Sequence, residues 1–136
     1  PLRTELTCEV ARNGLPVRLV GEVSGQRKRE LLWAADALVL PSLQLADGRT
    51  EGSPVVVWEA LAAGCPVVAS RVGGVAEQLA GAGLLVPAGD AQALAEALHQ
   101  VLTQPALANH LRAQGLGRAQ SADWSQVAPQ LERLLL

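Results

Sequence analysis

The stretch "EGSPVVVWEALAAGCPVVAS", Glu51 to Ser70, decides the fold. Three consecutive valines in it favour a strand. The framing of Pro54 to Gly64 is nevertheless helical: a Pro suited to a first turn, an Ala-rich second half and a Gly suited to the end. "CPVVAS", Cys65 to Ser70, then reads as a short apolar strand. Helix followed by apolar strand is the unit that recurs on both sides.

Upstream, Leu2, Leu6 and Val10 recur at helical spacing, and Asn13-Gly14 suits a left-handed cap. "PVRLVG", Pro16 to Gly21, reads as a short strand. A helix is expected from about Arg27 to Ala35, then a buried strand in "DALVLPS", Asp36 to Ser42, stopped by Pro41. Leu43 to Ser53 is polar and reads as a loop. Downstream, Gly73-Gly74 opens a short helix through Leu79, and "GLLVPAGD", Gly83 to Asp90, gives a last strand and turn. Amphipathic helices are expected near Ala91 to Leu102, Pro105 to Gln120 and Ser125 to Leu136. This alternation predicts an α/β fold, a parallel sheet covered by helices on both faces, with the helical last third along one flank.

The length, 136 residues, allows one domain with a real core. Residues 1–136 are read as that single domain, with a helical tail from about residue 91. Phe, Tyr and Met are absent and hydrophobic residues make up 49%, so Leu, Val and Ala must build the core. A net charge of -2 gives no electrostatic reason to expect nucleic acid or an anionic membrane as partner. No apolar run approaches the ~20 residues of a membrane span. Cys8 and Cys65 lack metal spacing and read as buried thiols in a reducing, cytoplasmic compartment. The chain opens at Pro1 without an initiator Met, as a piece of something longer would.

From Val55 to Ala63 every side chain except Glu59 is apolar, so this helix is expected to be buried all round, with Glu59 shielded from water. Glu59 shares a helical stripe with Val55 and Val56, whose amides lie in the first turn and have no partner inside the helix. Such a terminus attracts phosphate. Glu59 stands roughly 7 Å further along, at ~1.5 Å per residue, about the step from a diphosphate to a nucleotide's sugar. A carboxylate there can accept from both hydroxyls of a ribose. Glu51 precedes the helix, at the carboxyl end of a strand, where open parallel sheets bind ligands.

Glu51-Gly-Ser-Pro, Glu59-Ala-Leu-Ala-Ala-Gly-Cys-Pro-Val-Val-Ala-Ser and Gly73-Gly74-Val-Ala-Glu77 resemble the donor-binding half of family 4 retaining glycosyltransferases, of the GT-B fold. "VRLVGEV", "WAADALVLPS", "LLVPAGD" and "DWSQVAPQL" extend the resemblance over nearly the whole chain. It implies a Rossmann-like, partial GT-B C-terminal domain. It implies that Glu59 holds the ribose hydroxyls, that Glu51 orients the transferred sugar in catalysis, and that the amides of Val55 and Val56 meet the diphosphate. By the same resemblance, Gly52, Ser53 and Pro54 would belong to the same donor-binding loop, Ser42 would lie near the phosphates, and backbone atoms of Gly21, Glu22 and Val23 would border the base. Pro54 stands where many members have Gly and offers no N–H.

The reaction implied is transfer of a sugar from a nucleoside-diphosphate sugar with retention, with neither cofactor nor metal. The family's sheet order, 3-2-1-4-5-6, further implies that the chain lacks the first two strands, leaving Val17 to Val20 and Ala37 to Leu40 on either side of an empty slot. Collapse of that gap, strand exchange within a homo-oligomer, or the rest of the chain would have to close it. The diphosphate-binding Arg and Lys and the acceptor-binding N-terminal domain would lie in that rest. The segment alone is expected to be inactive, and the whole protein cytoplasmic or peripheral at the inner face of the membrane.

Blander readings stand beside these. Glu59 as a core acid satisfied by a structural Arg is one. "QRKRE", Gln26 to Glu30, reads as the charged first turn of a surface helix, His99 and His110 as partly exposed helix residues, and Trp33, Trp58 and Trp124 as core. Gly73-Gly74 serves either a turn or a ligand contact. A non-catalytic nucleotide-binding or assembly module of the same fold is the alternative function. A dehydrogenase would need a glycine fingerprint between first strand and helix, which is not present here.

Overall fold

The computed structural model describes residues 2–135, with side chains through residue 129. Helix α1, Leu2–Arg12, ends where Gly14 takes a positive φ of 58°, and Gly25–Ala34 forms α2. Strand β1 is Leu38–Leu40, α3 Val55–Ala62, β2 Val67–Ser70, α4 Val75–Leu79 and β3 Leu84–Val86. Three helices follow: α5 Ala91–Thr103, α6 Pro105–Ser121 and α7 Trp124–Leu135. The valine run is helical, as its framing predicts. Pro54 sits one place earlier than a first-turn Pro, as the N-cap.

The sheet is parallel, in the order β1-β2-β3, with Val39 opposite Val68 and Ala69 opposite Leu85. Side chains alternate across β2. Val67 and Ala69 join Leu32, Val57, Leu61, Val75 and Leu79 under α2, α3 and α4, while Val68 faces Ala97, Val101 and Leu111 of α5 and α6. β2 is therefore covered on both faces, which is why it is wholly apolar until Ser70. The helical last third does more than line a flank. α5 forms the second layer, and α6 bridges it to α3.

The expected strand at Pro16 to Gly21 does not form. Val17 donates its N–H back to Leu15 O at 2.8 Å, a local turn, and Leu15, Val17 and Val20 are exposed. A strand exists by pairing, and this segment meets no partner: β1 is an edge strand, only partly buried, and its outer side carries no strand among the described residues.

Three core assignments also change. Trp33 and Trp124 are exposed, because α2 and α7 turn those positions away from the sheet, and only Trp58 packs against the core. Cys8 is exposed as well, since α1 buries no residue. Cys65 lies in the core at 2% exposure, and burial pushes its thiol up from the ordinary range. At mildly alkaline pH, iodoacetamide should label Cys8 readily and Cys65 at least about a hundredfold more slowly, since opening a core segment costs several kcal/mol. Peptide mass spectrometry of a labelling time course checks this, and equal rates would refute it. His99 and His110 are exposed on their helices, as the sequence suggests.

Candidate functional site

The β1–α3–β2 crossover places the N-terminus of α3 at the carboxyl ends of the strands. Pro54 caps it with extended backbone, φ −63° and ψ 121°, and contributes no side-chain hydrogen bond. By contrast, the Asp90 side chain accepts from Ala93 N at 2.9 Å at the start of α5. Val57 N–H donates to Pro54 O at 3.0 Å, so the amides left for a ligand are those of Val55 and Val56.

α3 is not buried all round. Val57, Ala60 and Leu61 point inward, but Val55 is 68% exposed and Val56 and Glu59 are half-buried. The stripe shared by the free amides and the acid thus faces outward. Glu59 is not shielded from water: its side chain is 32% exposed and its Oε1 lies 2.5 Å from Lys28 Nζ. The partner is a lysine of α2 rather than an internal arginine. Within the Gln26–Glu30 cluster, only Lys28 is drawn in. Gln26 Nε2 donates to Glu30 Oε1 at 2.8 Å, and Arg27 and Arg29 are exposed.

The loop before α3 is tied down from three sides. Gly74 N–H donates to Glu51 O at 3.3 Å, Gln78 Nε2 to Pro54 O at 3.0 Å, and Trp58 Nε1 to Ser53 Oγ at 3.3 Å. Gly73, at φ +46°, lies so close that a Cβ there would fall 1.8 Å from Glu51 O, and one on Gly74 would fall 2.2 Å from Gly52 O. The two glycines therefore seat the loop. Behind them, the Arg118 guanidinium sits 5.3 Å from the Trp58 ring centroid and donates to Gln78 O and Glu77 O, both at 3.0 Å.

Ser42 and Glu51 come together on one cleft of about 470 Å³ beyond the tip of β1, with Arg49 and Leu45 on its walls. The Asp47 carboxyl is held below its usual range by hydrogen bonds from Arg49, first its backbone N–H and then its guanidinium. A second cavity, about 150 Å³, lies between Pro41, Ser70 and Pro87 at the strand tips. Glu59 lines neither. Gly21, Glu22 and Val23 lie just ahead of Ser24, the N-cap of the helix that carries Lys28. Among the described residues no group of His, Cys, Asp or Glu side chains is arranged to hold a metal ion, and no helix is long and apolar enough to cross a membrane.

Sequence reasoning missed Lys28, Gln78 and Arg118. Gln78 had a signal, a polar residue facing inward on a short apolar helix, and is 4% exposed. The other two contact elements far away in sequence and had none.

A parallel sheet between helices, with an open helix N-terminus at the strand tips, is the architecture of Rossmann-like domains, and solved structures that resemble it are GT-B enzymes. Sucrose-phosphate synthase from Thermosynechococcus elongatus superimposes with a TM-score of 0.81 at 34% identity, over 98% of this chain and 33% of that one. Anabaena HepE, solved in complex with UDP-glucose, gives 0.76 over 97% of this chain and 36% of that one; at 23% identity this likeness speaks for the fold alone. The sequence matches the family described as "Glycosyl transferases group 1" over residues 2–104, and the chain belongs to that family. Among curated relatives, the amylovoran biosynthesis glycosyltransferase AmsK of Erwinia amylovora is 43% identical over 71% of this chain and 25% of its own length. The phosphatidyl-myo-inositol mannosyltransferase of Mycobacterium leprae is 37% identical over 87% of this chain and 31% of its own length. The chain thus spans about a quarter to a third of these relatives.

Proposed function

We propose that the chain is the donor-binding part of a glycosyltransferase that moves a sugar from a nucleoside diphosphate to an acceptor with retention at the anomeric carbon. The observation that carries this reading is the start of α3 at the strand tips, which no side chain caps, with Glu59 on the same outward stripe. The amides of Val55 and Val56 meet the diphosphate, adding hydrogen bonds and the positive end of the helix dipole to the charge that grows as the sugar leaves. Glu59 accepts from the ribose hydroxyls. Glu51, on the cleft with Ser42, orients the sugar, and the backbone at Gly21, Glu22 and Val23 borders the base. The donor-binding loop of Gly52, Ser53 and Pro54 holds these groups in register through the bonds from Gly74 to Glu51, from Trp58 to Ser53 and from Gln78 to Pro54. The acceptor is held by a separate domain. Further strands of the same protein, or failing these a strand of a second copy, pair with the open edge of β1. The relatives named as glycosyltransferase and mannosyltransferase support sugar transfer as the reaction class.

Val55→Pro tests the amide role. Proline is at home in the first helical position, Pro54 already has the extended ψ that a following proline requires, and the Val55 side chain is exposed. The variant should fold as stably as the parent yet bind uridine or guanosine diphosphate about 10- to 100-fold more weakly, the loss of one hydrogen bond to a charged group. Isothermal titration of the intact protein measures it. Undiminished affinity would remove the diphosphate from this helix.

A further inference from the structure

We propose that Lys28 is a positioning residue, which holds the Glu59 carboxylate in the orientation that receives the ribose diol; this rests on the reading of Glu59 given above. Lys28 and Leu32 are four residues apart on α2, hence on one face. Leu32 is anchored in the core against α3 at 7% exposure, which fixes the helix that carries the ammonium. Nζ then reaches Oε1 of Glu59, the only acid on α3. Each side chain is about one third exposed, so the pair stands at the surface where a nucleotide would arrive.

A carboxylate offers about four acceptor sites over its two oxygens. Lys28 occupies one on Oε1 and, among the described residues, leaves the rest, including those of Oε2, for two hydroxyls. The pair and the diol are compatible, so the ammonium stays in place when the nucleotide binds and Glu59 does not have to be released first. A long glutamate on an outward stripe otherwise samples several rotamers, and holding it in one removes an entropy cost from binding. The effect is confined to the ribose, because Lys28 acts through Glu59.

The test compares uridine diphosphate with 2′,3′-dideoxyuridine diphosphate, and the guanosine pair likewise, on the intact protein. In the parent the ribonucleotide binds more tightly. In Lys28→Met the ratio of ribo to dideoxy affinity should fall about fivefold, the scale of a partly exposed ion pair, and Lys28→Arg should restore most of it. Loss of both affinities in equal proportion in Lys28→Met would mean a structural role and overturn the proposal. A ratio that rises would also overturn it, since Lys28 would then be a competitor of the ribose. Glu59→Ala separates the two levels. If it abolishes the ratio while Lys28→Met leaves the ratio intact, only the Lys28 proposal fails; if Glu59→Ala itself leaves the ratio intact, the ribose role of Glu59 fails and this proposal with it.

Discussion

Gly73→Ala should unseat the donor loop and reduce nucleoside-diphosphate affinity more than about a hundredfold. The added methyl would lie 1.8 Å from Glu51 O and 2.9 Å from its carbonyl carbon, on backbone that no rotamer change can relieve. The positive φ adds a conformational cost of about 1 kcal/mol for any L side chain. Because residues 51–53 are exposed, the strain is relieved by displacing that loop rather than by opening the core. The stability loss should therefore stay near 1–3 kcal/mol, the range of a strained surface site. Binding suffers far more, since the loop carries Glu51 and sets the entry to the α3 amides. Gly81→Ala is the matched control: its φ is +90°, yet nothing stands within 4 Å of its would-be Cβ, so it bears the conformational cost alone. Urea denaturation and nucleotide titration of the two variants check this together. Equal behaviour of the pair would show that contact with Glu51 is immaterial.

The parts of this fold that were legible in the sequence are those fixed by local chemistry. Pro54 and Gly64 override the strand preference of three valines because a helix needs a start and a stop, and the run between them is long enough for only two turns. β2 was legible because burial on both faces leaves it no polar position before Ser70. Val17 to Val20 has equally good strand composition and still is not a strand, because pairing is a property of two segments and composition belongs to one. Trp33 failed for a related reason: helical spacing says which residues share a face, but not which face the sheet will cover.

At the site, the pair of acids and the first-turn amides could be read from spacing alone, since both belong to one short helix and the loop before it. Their surroundings could not. An acid on an apolar helix is shielded only where every apolar position faces inward, whereas Val55 is 68% exposed. Lys28 and Arg118 arrive from α2 and α6, and each reaches the site only because α3 packs between them. The local sequence marks Gly73-Gly74 as a turn or a contact but not as a seat, because the group resting on it comes from a loop more than twenty residues away in sequence.

Glu59→Ala should leave the fold nearly untouched and weaken nucleotide binding by about 30- to 1,000-fold, and it is this divergence that gives the variant its force. Had Glu59 been a core acid, deleting one partner of a buried pair would cost about 3–5 kcal/mol. Its pair with Lys28 is about one third exposed and so contributes no more than about 1 kcal/mol, which the better helix propensity of Ala partly offsets. The midpoint of unfolding should accordingly shift by less than the equivalent of about 1 kcal/mol. Binding is another matter. Two ribose hydroxyls donating to a charged acceptor are worth about 1.5–3 kcal/mol each before solvent competition, so a loss of roughly 2–4 kcal/mol, or about 30- to 1,000-fold, is expected. Glu59→Gln keeps an acceptor without the charge and should fall between. A variant that loses several kcal/mol of stability while retaining its affinity would place Glu59 in the scaffold and leave the ribose to be held elsewhere.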